Sequence, residues 1–378
     1  MIAKAPSKLA PAFANVDSPD SVGGRLSERI GVAIVGAGMS GSNLVVEYLA
    51  AQRRGKVKLL KICDSSIAAL GALLITRETS SVLEEMLTQD VHDMLEDPGV
   101  DIVHIATPAQ THYELAKMTL EAGKNVLVET PMTLSSHESY HLVDLATEKG
   151  LLVEISHPIR FNRALQVASE MLNGGELGKL YHVKARWTDQ NSSMDGDIIS
   201  DLAHEPLDAL NLLLGEWPED VTGIGRTYRN PGTHHDVAYI LAEYRGNIIA
   251  HIELSWLHTQ NVKEVTIVGS AGTLTIDCIR QLLVQHSLDS SFQIPVTPGN
   301  GMVSQIEHFA DRVAKGDRSI DLTGPRTVET LEAVNRSVSE KKLTAVANVK
   351  YEEEEMLQLI PDAKANVDKN LSVDDKAQ

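Results

Sequence analysis

Aromatic side chains are scarce in this sequence: Phe, Trp and Tyr together make up 4% of its 378 residues. Any core must therefore be built mainly from Leu, Ile, Val and Ala. Cysteine is rarer still. Cys63 and Cys278 stand far apart, each inside an apolar stretch, which argues against a disulfide framework and predicts reduced core thiols in a cytoplasmic protein. Positive charge is in deficit, with 34 Lys and Arg against 52 Asp and Glu and a formal net charge of −18. Phosphate binding needs clustered Lys and Arg, so nucleic acid is not an expected partner. An anionic membrane surface is disfavoured for the same reason. No apolar run reaches the roughly 18 residues that a membrane helix needs. Met1–Glu28 has no continuous apolar segment of the secretory kind.

What is present is ordinary globular material, 43% hydrophobic and 23% charged. The length exceeds what one hydrophobic core usually supports, so two domains are expected. A flexible extension over 1–29 precedes the first of them, a dinucleotide-binding domain over 30–155. There, strand and helix patterns alternate with short connections: strands at Ile30–Val35, Val57–Cys63, Asp101–Ala106, Asn125–Val128 and Leu151–Ile155, and helices after most of them. Ile67–Leu74 and Val82–Leu87 both read as helical, and Val91–Glu96 as a short helix. This alternation predicts an α/β fold with a doubly wound parallel sheet of the Rossmann kind. Ligands of such sheets sit beyond the carboxyl ends of the strands.

The second part, 156–350, is expected to be an α+β domain for substrate and oligomerisation. Helices are predicted at Asn162–Asn173 and Leu207–Leu214. Strands are predicted at Leu180–Trp187, Val237–Tyr244, Ile248–Trp256, Val262–Gly269 and Gly272–Ile276. Their order suggests an open, largely antiparallel sheet with helices on one face. A last helical region follows Gly299-Asn300-Gly301, and an acidic tail closes the chain over 351–378.

The central motif is Gly36-Ala37-Gly38-Met39-Ser40-Gly41. A G-x-G-x-x-G string is weak alone, but this one follows a buried strand and opens an amphipathic helix. Gly36 permits the tight turn, Gly38 lets backbone approach a pyrophosphate, and Gly41 allows close packing of helix on strand. Amides at the helix start, including those of Met39 and Ser40, would face the phosphates. Asp64 ends the second strand, where a carboxylate accepts hydrogen bonds from ribose hydroxyls and repels a 2′-phosphate. Ser65 and Ser66 follow, with no Arg to offset that repulsion, so NAD is expected over NADP.

Further strings appear in a characteristic order: Asp97-Pro-Gly-Val-Asp101, Ile105-Ala-Thr-Pro108 with His112, Ala122-Gly-Lys-Asn-Val126 and Glu129-Thr-Pro131. Arg160-Phe-Asn162, Gly175-Glu-Leu-Gly178 and Gly269-Ser-Ala-Gly-Thr-Leu274 follow. Together they span Ile30 to Lys342. On these residues the chain resembles the glucose–fructose oxidoreductase / inositol dehydrogenase / MocA family of NAD(P)-dependent oxidoreductases. The resemblance implies a Rossmann domain joined to an open-faced sheet domain, which often forms the interface of a homodimer or homotetramer. It implies a small-molecule substrate, usually a sugar, polyol or related hydroxyl compound. It also places Thr107, Pro108 and His112 at the cofactor and Glu129 near the nicotinamide ribose.

The sequence departs from the family at two places that bear on chemistry. Where the family reads Glu-Lys-Pro, this chain has Thr130, whose hydroxyl is no base near neutral pH and can only hydrogen-bond. The family's second signature places a His four residues after an Asp, with another Asp three residues on. In Asp201-Leu-Ala-His204-Glu205-Pro206-Leu-Asp208 that position is Glu205, and His204 stands one residue early. If helical, Asp201, His204, Glu205 and Asp208 would share a face, but Pro206 disfavours helical geometry at Glu205. A kink or helix start there would swing His204 into the site.

His204 is therefore the candidate acid/base, with an ordinary pKa near 6.5 that adjacent carboxylates would raise. Asp201 and Glu205 are candidates to orient it, Lys184 to replace the missing lysine in space, and His157 to line the pocket near the nicotinamide. His234-His235-Asp236 lacks further ligands at metal spacing and is expected to border the cleft, with no metal site. The polar stretch Gln190-Asn191-Ser192-Ser193 suggests a short loop that leaves the cleft open to a bulky substrate.

Three functions remain open on sequence alone. The first is an NAD-dependent oxidoreductase acting on a carbinol or ketone of a sugar-like or natural-product molecule. The second is a redox-neutral lyase or glycosidase-type reaction through transient oxidation. The third is a dinucleotide-binding sensor or scaffold without catalysis.

Overall fold

The computed structural model describes residues 29–75, 84–190, 196–229 and 234–346. The expected N-terminal extension (Arg29 apart), the acidic tail and the stretch Asn191–Ser193 lie outside those residues.

The first sheet has six strands: β1 (Ile30–Val35), β2 (Val57–Cys63), β3 (Leu87–Thr88), β4 (Ile102–Ile105), β5 (Asn125–Val128) and β6 (Val153–Ile155). Their order is β3-β2-β1-β4-β5-β6 and every pairing is parallel. Four-residue runs such as Ile102–Ile105 and Asn125–Val128 are buried throughout, as strands covered on both faces require. One covering layer holds α1 (Met39–Arg53) and α2 (Ile67–Ile75); the other holds α3 (Val91–Glu96), α4 (His112–Glu121) and α5 (Ser136–Lys149). The helical reading of Val82–Leu87 is corrected at its end, because Leu87 lies in β3 and pairs with Ile62 of β2. Hydrophobic period alone does not separate a short edge strand from a helix turn.

The second sheet has nine strands: β7 (Leu180–Thr188), β8 (Asp220–Arg226), β9 (Val237–Tyr244), β10 (Ile248–Ser255), β11 (Val262–Gly269), β12 (Gly272–Asp277), β13 (Leu282–His286), β14 (Ser291–Ile294) and β15 (Thr344–Ala345). The order is β14-β13-β12-β11-β7-β10-β9-β8-β15. All neighbours are antiparallel except β7 and β10. One face packs against α6 (Arg163–Asn173), α7 (Ile198–Leu202) and α8 (His204–Leu214), with Trp187, Val265, Ile267 and Leu210 fully or almost fully buried between them. Burying such a side chain contributes about 1.5–3 kcal/mol. The opposite face exposes Ile224, Tyr239, Leu241 and Ile249.

The last helical region is two helices, α9 (Gly301–Ala314) and α10 (Thr323–Glu340). They follow β14 of the second sheet in sequence but pack back onto the first. Val303, Ile306, Phe309 and Ala310 of α9 pack into the core beneath α1, and Val328 of α10 joins the core on the other face of the first sheet. The Rossmann unit is thus completed by a segment remote in sequence. The apolar stripe of α9 announces a buried face but not which sheet will receive it.

Candidate functional site

β1 ends in the glycine loop, and the three glycines there stand in different surroundings. Gly36 has φ +102°, a region that favours glycine, and an added Cβ would lie 2.5 Å from the Ala106 carbonyl oxygen. At Gly41 an added Cβ would lie 1.8 Å from the Gly36 oxygen, so the helix can approach β1 only without a side chain there. At Gly38 an added Cβ meets nothing within 4 Å among the described residues. That open space lies at the start of α1, which has no side-chain cap and no acidic residue in its first turn. Met39 and Ser40 are exposed beside it. Uncapped amides with room in front of them fit a dinucleotide pyrophosphate.

Asp64, at the end of β2, accepts the Ala37 N–H at 2.7 Å and the Ser66 N–H at 2.8 Å. Its carboxylate therefore sits against the glycine loop, where a ribose would lie, and Ser65 is exposed next to it. Beyond β4, Thr107 is half-buried and Pro108 exposed. His112 is displaced from the expected role. It is buried, with Nδ1 2.8 Å from the Pro131 oxygen and Nε2 2.7 Å from the Thr107 oxygen. Both ring nitrogens are spent on backbone, so His112 ties two loops together and has no polar atom left for a cofactor.

Glu129 follows β5. Its Oε1 lies 3.0 Å from His104 Nε2, and His104 Nδ1 lies 3.0 Å from the Tyr48 hydroxyl. Burial pushes the Glu129 carboxyl up, but the hydrogen bond and charge of His104 outweigh it and the net shift is downward. Residues Glu129 and Thr130 form one wall of a cavity of about 470 Å³, and His157, His204, Glu205 and Lys263 stand in the others.

The reach from Thr130 to the second domain is direct. Thr130 Oγ1 lies 3.1 Å from His204 Nε2, across 74 positions of sequence. The His204 ring is stacked on His157, with centroids 5.9 Å apart and planes 11° from parallel. His157 Nδ1 is 3.2 Å from Asp208 Oδ2. Asp208 in turn accepts from Arg160 Nε at 2.7 and 3.0 Å, and Arg160 donates to Asn211 Oδ1. α8 begins at His204 because Pro206 has no N–H to give to Leu202, so the two short helices α7 and α8 part at Ala203. The start of α8 is what places His204 at the cavity.

Two expectations about this helix pair are corrected. The net shift of the His204 pKa is downward, although the carboxylates of Glu205 and Glu129 act upward. Burial dominates and lowers it to about 4; Glu205 opposes, while His157 and Lys263 add to the lowering. Asp201 does not stand in the cavity wall with His204. It lies on α7 with much of its surface open, and its pKa is raised by partial desolvation of the carboxyl and by the nearby Asp197 carboxylate, with His234 opposing. His235 Nδ1 lies 2.6 Å from Asp197 Oδ2, and Asp236 accepts the N–H groups of Tyr228 and Arg229. This cluster forms no part of the cavity wall, which corrects the expectation that it borders the cleft.

Lys184 is likewise removed from the site. Val183, Ala185 and Trp187 of β7 point at the helices, so Lys184 points to the exposed face, opposite His251 and Thr266. The lysine at the cavity is Lys263, which sequence reasoning passed over. It pairs across strands with Trp187 and has the parity of buried Val265 and Ile267, so it projects to the helix-covered face. Its Nζ is 2.5 Å from Glu205 Oε2, which also accepts from Trp187 Nε1 at 2.9 Å. Burial pushes the Glu205 carboxyl up, but Lys263 brings it below the ordinary range. The available signal was a charge at an inward position of an alternating strand.

Comparison with known proteins agrees with this geometry. Residues 30–157 match the model of an oxidoreductase family with an NAD-binding Rossmann fold. Residues 165–275 match the GFO/IDH/MocA C-terminal domain. The chain is similar to the scyllo-inositol 2-dehydrogenase (NAD(+)) of Bacillus subtilis, at 28% identity over 254 residues, covering 62% of this chain and 74% of that protein. Two solved structures share the fold. One is the UDP-N-acetylglucosamine 3-dehydrogenase GnnA of Acidithiobacillus ferrooxidans, with TM-score 0.72, 22% identity and coverage of 83% of this chain and 99% of that one. The other is a levoglucosan dehydrogenase in complex with NADH and levoglucosan, with TM-score 0.75, 18% identity and coverage of 85% and 100%. A glycine loop built for a dinucleotide and two domain matches in the order of the fold lead to one conclusion: the chain belongs to the glucose–fructose oxidoreductase / inositol dehydrogenase / MocA family and is an NAD-binding oxidoreductase.

Proposed function

We propose that the protein oxidises a hydroxyl of an uncharged, sugar-like ring, or reduces the matching ketone, with His204 and Thr130 moving the proton. The observation that carries this reading is the 3.1 Å contact of Thr130 Oγ1 with His204 Nε2 at the cavity of about 470 Å³. Bound nicotinamide supplies the hydride acceptor. Thr130 cannot hold the proton, but its hydroxyl accepts from the substrate O–H while donating to His204 Nε2. Asp208 and His157 position the His204 ring from behind by charge and stacking. Glu129, kept ionised by His104, is suited to accept from ribose hydroxyls at the cavity edge.

The same reading assigns a homodimer or homotetramer to the exposed sheet face, supported by the apolar Ile224, Tyr239, Leu241 and Ile249 there. The buried, unpaired Cys63 and Cys278 support a reducing compartment such as the cytoplasm. The deciding experiment offers NAD and a panel of inositols and aldoses to the purified protein and follows NADH absorbance. NADH formation with at least one of them is expected. Bound NAD with no NADH, and a product at the oxidation level of its substrate, would point instead to redox-neutral chemistry.

A further inference from the structure

We propose that Lys263 is the cation that faces the reacting substrate oxygen, and that Glu205 holds it there. The inference rests on the dehydrogenase reading above and adds a catalytic group to it. As a C–H bond gives its electron pair to nicotinamide, the attached oxygen gains negative charge until its proton has left. A site that meets this charge with a fixed positive group lowers the barrier. Thr130 is neutral, and His204 is neutral at ordinary pH because its pKa lies at about 4. Among the described residues of the cavity wall, Lys263 is the one lysine or arginine.

Two strands, the residue that follows β12 and a helix place it. Trp187 of β7 and Lys263 of β11 are cross-strand partners, and Cys278 donates its N–H to the Lys263 oxygen at 2.8 Å. Trp187 and Cys278 are buried beside it. The first turn of α8 brings Glu205 over this row, and Trp187 Nε1 fixes the carboxylate that fixes Lys263. The pair is partly open to the cavity, with side-chain exposures of 35% for Lys263 and 28% for Glu205. A half-buried ion pair in a row of apolar residues adds little stability over hydrophobic side chains of similar volume. Its position at the cavity, within electrostatic reach of His204, gives it a chemical use.

The balance is complete without a further reactant. The substrate carbon loses hydride to NAD, the hydroxyl proton passes through Thr130 to His204 Nε2, and a C=O bond forms. Lys263 keeps its three protons and donates a hydrogen bond throughout. In reduction the same group polarises the ketone.

The test compares wild type, K263M and K263R for NAD-linked oxidation of the best polyol, with NADH binding followed by fluorescence. K263M is expected to lose kcat by about 10²- to 10³-fold, as on removal of an oxyanion donor, while binding NADH as wild type does. K263R keeps a cation at the position and leaves Thr130 in place, so it is expected to recover a large part of that loss. Unchanged kcat in K263M, loss of NADH binding together with activity, or no recovery in K263R would each overturn the inference and leave the dehydrogenase reading intact. A wild type that binds NADH yet oxidises no polyol would overturn both.

Discussion

At the scale of single residues, His204 shows how burial overrides neighbours. Its carboxylate neighbour Glu205 pulls the pKa up, but removal of the ring from water pulls harder, to about 4. A base works in its unprotonated form, so the rate should hold from neutral pH downward and fall only as pH approaches about 4. An ordinary histidine would begin to fail near 6.5. The pH profile of kcat/KM between pH 4 and 8 distinguishes the two, and an acid limb near 6.5 would remove His204 from the role. H204A is expected to lower turnover by about 10²-fold or more, measured with saturating NAD. Asp64 carries a separate prediction. Its carboxylate sits against the glycine loop with no arginine following, so D64A should narrow the preference for NAD over NADP in paired binding titrations.

At the scale of elements, the site depends on how helices start. Asn162 caps α6 by accepting the N–H groups of Ala164 and Leu165, and its Nδ2 donates to the Cys278 oxygen at 2.7 Å. N162A should therefore cost about 1–2 kcal/mol from the cap alone, seen as a lower urea midpoint. The start of α8 is secured by Asp208, fully buried against Arg160 and His157. Burial pushes the Asp208 carboxyl up, but His157 and Arg160 bring it down to about 2. A depressed carboxyl contributes stability above its unfolded pKa near 3.9, and that contribution is lost as pH falls through the folded value. D208N should cost about 3–5 kcal/mol at neutral pH by leaving Arg160 without its partner charge. The gap to wild type should narrow as pH falls from about 4 toward 2; a gap independent of pH would show that packing, not charge, is at stake.

At the scale of the whole molecule, the return of α9 joins the two halves. Lys56 Nζ meets Asp311 Oδ1 at 2.8 Å, Asn300 Nδ2 meets Glu47 Oε2 at 2.7 Å, and Phe309 is buried beneath α1. The cavity lies between walls from both sheets, so its shape depends on this joint. The exposed face of the nine-stranded sheet is the other large-scale feature. Introducing charge there in Y239E/L241E should shift the protein to smaller species in light scattering and leave NADH binding intact. Unchanged mass would place any oligomer contact elsewhere.

Much was determined by the sequence alone. Ile30–Val35, Val57–Cys63 and Asn125–Val128 are strands because their apolar runs are short and end in turn residues, and the spacing of Gly36, Gly38 and Gly41 directly after the first of them marks the loop before any tertiary partner is known. The parallel sheet and the dinucleotide loop follow from these local patterns. Tertiary structure decided the chemistry of the cavity, because there the partners are far apart in the chain. Thr130 meets His204, and Lys263 meets Glu205, only once two sheets and α8 have packed. Lys184 was plausible as a lysine near Trp187 until strand parity turned it to the other face, while Lys263 shares the face of Trp187. His204 needed the same information, since a pKa set by desolvation has no counterpart in the residues next to it in sequence.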